Sequence, residues 1–131
     1  MQYRVLDVIK LSRMSFDIWM QDIPAHARTV ADIPDDFEPR SIGSRAELIA
    51  KIIEAAPNAT FKTLSYGEIE SEDFSMDIWL GDENEVTCVT FNIYGNARNA
   101  LPIVAKILQR CGQRALWPGE DGIFDPNELR I

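Results

Sequence analysis

Two short stretches place a carboxylate two residues before a tryptophan. Residues 14–22 read MSFDIWMQD and residues 74–82 read FSMDIWLGD, with Ser, Asp, Ile, Trp and the final Asp shared at five of nine aligned positions. Asp17 and Asp77 are a candidate acid–base pair, one carboxyl holding a proton while the other accepts one. That division of labour needs an environment that drives their pKa values apart. The same pattern also suits recognition. Trp19 and Trp79, bracketed by carboxylates, are side chains that bury large area at low entropic cost and anchor interfaces.

The remaining chemical inventory is short. His26 is the only histidine. It lies in a proline-bearing loop with no marked Ser or Cys nucleophile nearby, so a hydrolase triad is not indicated. There is no CxxC, no HxxxH and no His–carboxylate pair at helical spacing, which disfavours zinc. DENEV, residues 82–86, lacks the glycine and distal Glu of a calcium loop. Neither GxGxxG nor GxxxxGK occurs, so there is no phosphate cradle. The expectation is a chain that is no enzyme and that carries no catalytic residue, no metal and no cofactor.

Charge is concentrated. The chain has a net charge of −8, yet residues 63–97 contain no Lys, Arg or His and eight acids: Glu68, Glu70, Glu72, Asp73, Asp77, Asp82, Glu83 and Glu85. The rest of the chain holds 13 acids and 13 bases, so the whole imbalance lies in this window. Such a region repels nucleic acid and anionic lipid and attracts basic partners. The plain alternative is a solvated acidic rim that favours solubility.

At 131 residues a single domain spanning 1–131 is expected, with a core of ordinary size. No apolar run approaches the roughly 20 residues of a membrane helix. The start MQYRVLDVIKLSR lacks the pattern of a secretion signal. Cys88 and Cys111 lie in apolar patterns and read as buried, reduced thiols, which fits a cytoplasmic protein.

The elements that must position Asp17, Trp19, Asp77 and Trp79 follow from periodicity. Residues 3–11 read as a strand, although Val5, Leu6, Val8 and Ile9 also suit a helix face. Residues 14–21 alternate, with Met14, Phe16, Ile18 and Met20 against Ser15, Asp17, Trp19 and Gln21. Residues 22–43, rich in Pro and Asp, form a long irregular connection that could cover a sheet edge. Ser44 and Glu47 form a capping box for a helix over 45–56, with Leu48, Ile49, Ile52 and Ile53 as its apolar stripe and Pro57 as its stop. Strands are expected at 60–66, 74–80 and 86–94. In the last two, Asp77, Trp79, Asn92 and Tyr94 fall on the face opposite Met76, Ile78, Phe91 and Ile93. A second helix over 99–111 has Asn99 as its cap, Pro102 in its first turn and Gly112 beyond its end. A last short strand, RALW, leads into the turn PGEDG and then IFD. LIAKII (48–53) echoes IVAKIL (103–108), so the two strand–helix units are either an old duplication or convergent amphipathic patterning. The fold expected is α+β: an antiparallel sheet of four to six strands in a meander, with two helices packed on one face.

The run ADIPDDFEPRSIGSRAELIAKIIEAAPNATF, then DFSMDIWLG, a strand, and NALPIVAKILQRCGQRALW with a closing turn resembles small bacterial proteins of unassigned function. In layout it is similar to immunity proteins of bacterial toxin systems. That resemblance implies a small acidic cytoplasmic protein that binds its toxin by surface complementarity and carries no catalytic residues. The closing WPGEDGIFD is longer than the resemblance leads one to expect.

Two surfaces are therefore candidates for a protein partner, expected to be basic: the acidic segment Glu68, Glu70, Glu72, Asp73, Asp82, Glu83 and Glu85, and the sheet face with Asp17, Trp19, Asp77, Trp79 and Tyr94. The alternatives are a homodimer joined through the Trp face, a small-molecule binder using Asp17 and Asp77, and a face covered by the long connection or the N-terminal strand, which would bury both Trp residues. No nucleic-acid or membrane partner is expected.

Overall fold

The computed structural model describes residues 15–118 and 122–127. Alternation builds the sheet. In β1 (Ser15–Gln21), Ile18 and Met20 are buried while Ser15 and Trp19 are exposed. In β5 (Phe74–Trp79), Phe74, Met76 and Ile78 turn inward between Ser75, Asp77 and Trp79. In β7 (Cys88–Gly95), Val89, Phe91 and Ile93 do the same. A period of two in a half-buried strand puts one set of side chains in the core and the other outside.

With β3 (Thr60–Phe61), β4 (Tyr66–Glu70), β8 (Arg114–Trp117) and β9 (Gly122–Phe124), these make a seven-stranded antiparallel sheet in the order β3-β4-β5-β7-β1-β8-β9. Two further strands, β2 (Gly43–Ser44) and β6 (Glu85–Val86), pair separately. The helices α1 (Arg45–Ala55) and α2 (Ala97–Cys111) cover one face. They close a single core with Leu48 and Ile52 from α1 and Leu101, Val104, Ile107 and Leu108 from α2. The class is α+β, with a sheet and two helices as the alternation and capping signals predict.

The departures are local. The meander expected from short connections runs through β3, β4, β5 and β7, but β1 is inserted between β7 and β8. Residues 60–66 are not one strand: they turn between β3 and β4, and β4 continues to Glu70. Gly67 makes that hairpin possible, because a Cβ there would sit 2.5 Å from the Phe61 ring. The strand expected at 86–94 is divided, with Val86 paired to Gly43 in the small sheet and β7 starting at Cys88. The α1 stripe is narrower than expected: Leu48 and Ile52 are buried, whereas Ile53 is 40% exposed. Ser44 Oγ accepts from the Glu47 N–H, as the capping box requires, and α1 ends at Ala55 before Pro57.

The start of α2 also differs. Asn96, not Asn99, is the cap, its side chain accepting from the Arg98 N–H. Pro102 consequently lies in the second turn. The reason is Asp73. Its carbonyl accepts from the Asn96 N–H, and its carboxylate accepts from the side-chain amides of both Asn96 and Asn99. That anchor fixes where the helix begins and draws Asn99 away from capping. Gly95 permits the approach: its φ is 100°, and a Cβ there would meet the Asp73 carbonyl oxygen at 2.5 Å. At the far end, Gly112 takes the left-handed conformation, and the Gln113 N–H donates to the Leu108 carbonyl, as in a Schellman turn.

The long connection 22–43 contains one 3-10 turn, Val30–Asp32. It is closed on itself by Arg40 to Asp22 and tied to the body by the Ile42 N–H to the Val86 carbonyl and by Arg114 to the Pro24 and Ala27 carbonyls. Cys88 and Cys111 are free thiols; Cys111 is buried, but Cys88 is only half-buried because it faces outward at the start of β7. The strand expected at 3–11, and Met14, lie outside the described residues. Among the described residues no helix is long and apolar enough to cross a membrane.

Candidate interaction face

The repeated pentads SFDIW and SMDIW flank β7 at the same height. β1 and β5 are both antiparallel to β7, so they run in the same direction. Their registers coincide. Tyr94 pairs with Ser15 on one side and Ser75 on the other; Asn92 pairs with Asp17 and Asp77; Thr90 pairs with Trp19 and Trp79. Three rows result on the face away from the helices: Ser75–Tyr94–Ser15, Asp77–Asn92–Asp17 and Trp79–Thr90–Trp19. Asp17 and Asp77 therefore do not touch. Two interstrand spacings separate their strands, about 10 Å.

Each carboxylate has its own partner. Asp17 accepts from the Asn92 side-chain amide at 2.5 Å. Asp77 accepts from the Tyr66 hydroxyl at 2.7 Å, and the same hydroxyl lies 3.2 Å from Glu68 Oε2. The bond to Asp77, with desolvation second, pushes the Tyr66 hydroxyl well above the usual tyrosine range. The Tyr66 ring leans on Trp79, with centroids 4.4 Å apart at 46°. Glu68 is also 3.5 Å from Lys62.

This face is open among the described residues. Trp19 is 37%, Trp79 46% and Tyr94 43% exposed. The third tryptophan is the contrast: Trp117, on the inner side of β8, is 3% exposed, stacked on Phe16 and tilted against Phe124. The long connection does not lie over Trp19 and Trp79. It sits at the end of the sheet, where it borders a cleft of about 610 Å³ against the α2–β8 corner. Arg28, Arg40 and Arg114 line that cleft, but Arg28 and Arg114 donate to backbone carbonyls and Arg40 to Asp22.

The acidic segment is split. Glu68 and Glu70 lie on the open face with Asp17 and Asp77, since Ile69 between them is buried. Glu72 and Asp73 lie in the β4–β5 turn at one end, Glu72 exposed and Asp73 engaged with α2. Asp82, Glu83 and Glu85 lie beyond the opposite end of β5, about 20 Å away along the strand. There Asp82 accepts from Ser65, Glu85 from Ser41, and Glu83 is exposed. The segment is thus three patches, of which the middle one merges with the Trp face.

Tyr66 is the residue that sequence reasoning missed. Its signal was present: Tyr66, Glu68 and Glu70 alternate with Gly67 and Ile69, which extends the outward face by one strand. His26 is exposed in the connection. Among the described residues no group of three or more His, Cys, Asp or Glu side chains is arranged to hold a metal ion.

Comparison with protein-family models, with curated proteins and with solved structures yields no match.

Proposed function

We propose that this protein is a non-catalytic binding module whose open sheet face docks a basic protein. The observation that carries the reading is the coincidence, on one face open among the described residues, of three exposed aromatics and four carboxylates: Trp19, Trp79 and Tyr94 with Asp17, Glu68, Glu70 and Asp77. Exposed Trp and Tyr supply contact area, and a surplus of carboxylates, with Lys62 beside Glu68, supplies orientation and speeds encounter. Its finer form is an immunity-type inhibitor of a basic toxin acting in the cytoplasm. A second copy of the chain is a poorer occupant, because two such faces repel one another.

The test is capture from the native cell with the wild type and with two variants, Trp79→Ala and the charge reversal Glu70→Lys. The reading expects a basic protein retained by the wild type and lost by both variants. Asp73 is unsuitable for such a reversal, since it holds the start of α2. Sedimentation at micromolar concentration separates the homodimer: a stable dimer broken by Trp79→Ala would replace this reading, while a monomer supports it.

A further inference from the structure

We infer that the open face carries two like subsites for cationic side chains, Asp17 with Trp19 and Asp77 with Trp79, and that it selects a partner presenting two such cations about 10 Å apart. This rests on the basic-partner reading and adds a spacing to it.

Asp and Trp two residues apart lie on the same side of a strand, about 7 Å apart along it. A guanidinium resting on the indole face gains a cation–π contact, and its fork reaches the carboxylate for a charge-assisted hydrogen bond. Either group alone is common on a surface. Here the combination occurs twice, and β7 holds both copies at one height because Asn92 pairs with both aspartates and Thr90 with both tryptophans. The separation is therefore set by the sheet rather than by flexible loops.

The residues between and beside the two subsites support this division. Asn92 is neutral, so its row carries two separate charges instead of three adjacent ones, and its amide orients Asp17. On the other side the Tyr66 hydroxyl orients Asp77, and the Tyr66 ring adds a second aromatic wall next to Trp79. The two subsites thus have the same core with different supports. A spacing of about 9 Å on one side of an extended chain is that of residues i and i+3 in a polyproline helix, which gives a rigid probe.

The experiment titrates the 15N-labelled 131-residue chain with proline-based octapeptides and follows the indole N–H signals. Trp117, being buried, is the internal reference. One peptide has arginines three residues apart, a second has them adjacent, and a third has a single arginine. Poly-lysine of about 20 residues is a fourth probe, as a cation without fixed spacing.

With the first peptide, the Trp19 and Trp79 signals are expected to shift along one binding curve, with affinity about ten-fold above the other two peptides. Asp17→Asn and Asp77→Asn should each bring that affinity down to the single-arginine level, with the Trp117 signal unmoved. The pairing is overturned if the spaced peptide binds no tighter than the adjacent one, or if only one indole responds. If poly-lysine moves both indoles while spacing has no effect, the pairing falls and the basic-partner reading stands. If poly-lysine moves neither, both fall.

Discussion

Trp19 and Trp79 stand in one row of one sheet, each opposite Thr90 and on either side of β7. Their exposure, against the burial of Trp117, divides the three tryptophans into two at the surface and one in the core. Substitution should follow that division. Trp117→Ala removes a ring packed between Phe16 and Phe124 and is expected to cost about 3–5 kcal/mol. Trp79→Ala should change stability by about 1 kcal/mol or less while abolishing partner capture. Chemical denaturation of both variants checks this.

The inner half of the site was legible in the sequence because strand alternation is a local signal. Ile18, Met20, Met76, Ile78, Phe91 and Ile93 fall inside as their spacing demands, which leaves Asp17, Trp19, Asp77 and Trp79 outside. What the spacing does not encode is pairing. That β1 inserts between β7 and β8, and that the two repeats meet β7 in equal register, depends on contacts between residues far apart in the chain. The start of α2 was misjudged for a similar reason. Asn96 and Asn99 are both acceptable caps by type, and the choice is made by Asp73, which approaches from a different hairpin.

Asn92 keeps two carboxylates apart, so Asn92→Asp should be destabilising at neutral pH. It removes the amide that Asp17 accepts from and places a third negative charge directly between Asp17 and Asp77. A loss of about 1–2 kcal/mol is expected. Denaturation curves of the wild type and the variant at neutral pH measure it.

Gly95 has no tolerated replacement by an L residue. With φ at 100° and the Asp73 carbonyl oxygen 2.5 Å from where a Cβ would stand, Gly95→Ala combines backbone strain with a clash against the group that anchors α2. A cost of roughly 2–3 kcal/mol is expected. The equilibrium unfolding free energy tests it.

Two side chains give opposite pH limbs. The hydrogen bond from Arg40 holds the Asp22 carboxyl below its ordinary range, partly offset by desolvation. A depressed carboxylate stabilises the fold above its unfolded pKa and loses that contribution as pH falls through the folded value. Asp22→Asn should therefore flatten the acid limb of stability below about pH 4. Tyr66 is raised, chiefly by its bond to Asp77. Its contribution is full below the unfolded value of about 10 and is lost as pH rises through the folded one. Tyr66→Phe should remove that contribution and flatten the alkaline limb. Acid and alkaline denaturation of the two variants are the checks.

The proposed docking of a basic partner on the face bearing Asp17, Trp19, Asp77 and Trp79 is tested by the indole N–H response of the 131-residue protein to poly-lysine at low salt. Trp19 and Trp79 are expected to shift together while Trp117 does not, and about 1 M salt, with a screening length near 3 Å, is expected to abolish the shift. Trp19 and Trp79 signals unmoved at low salt would rule that docking out.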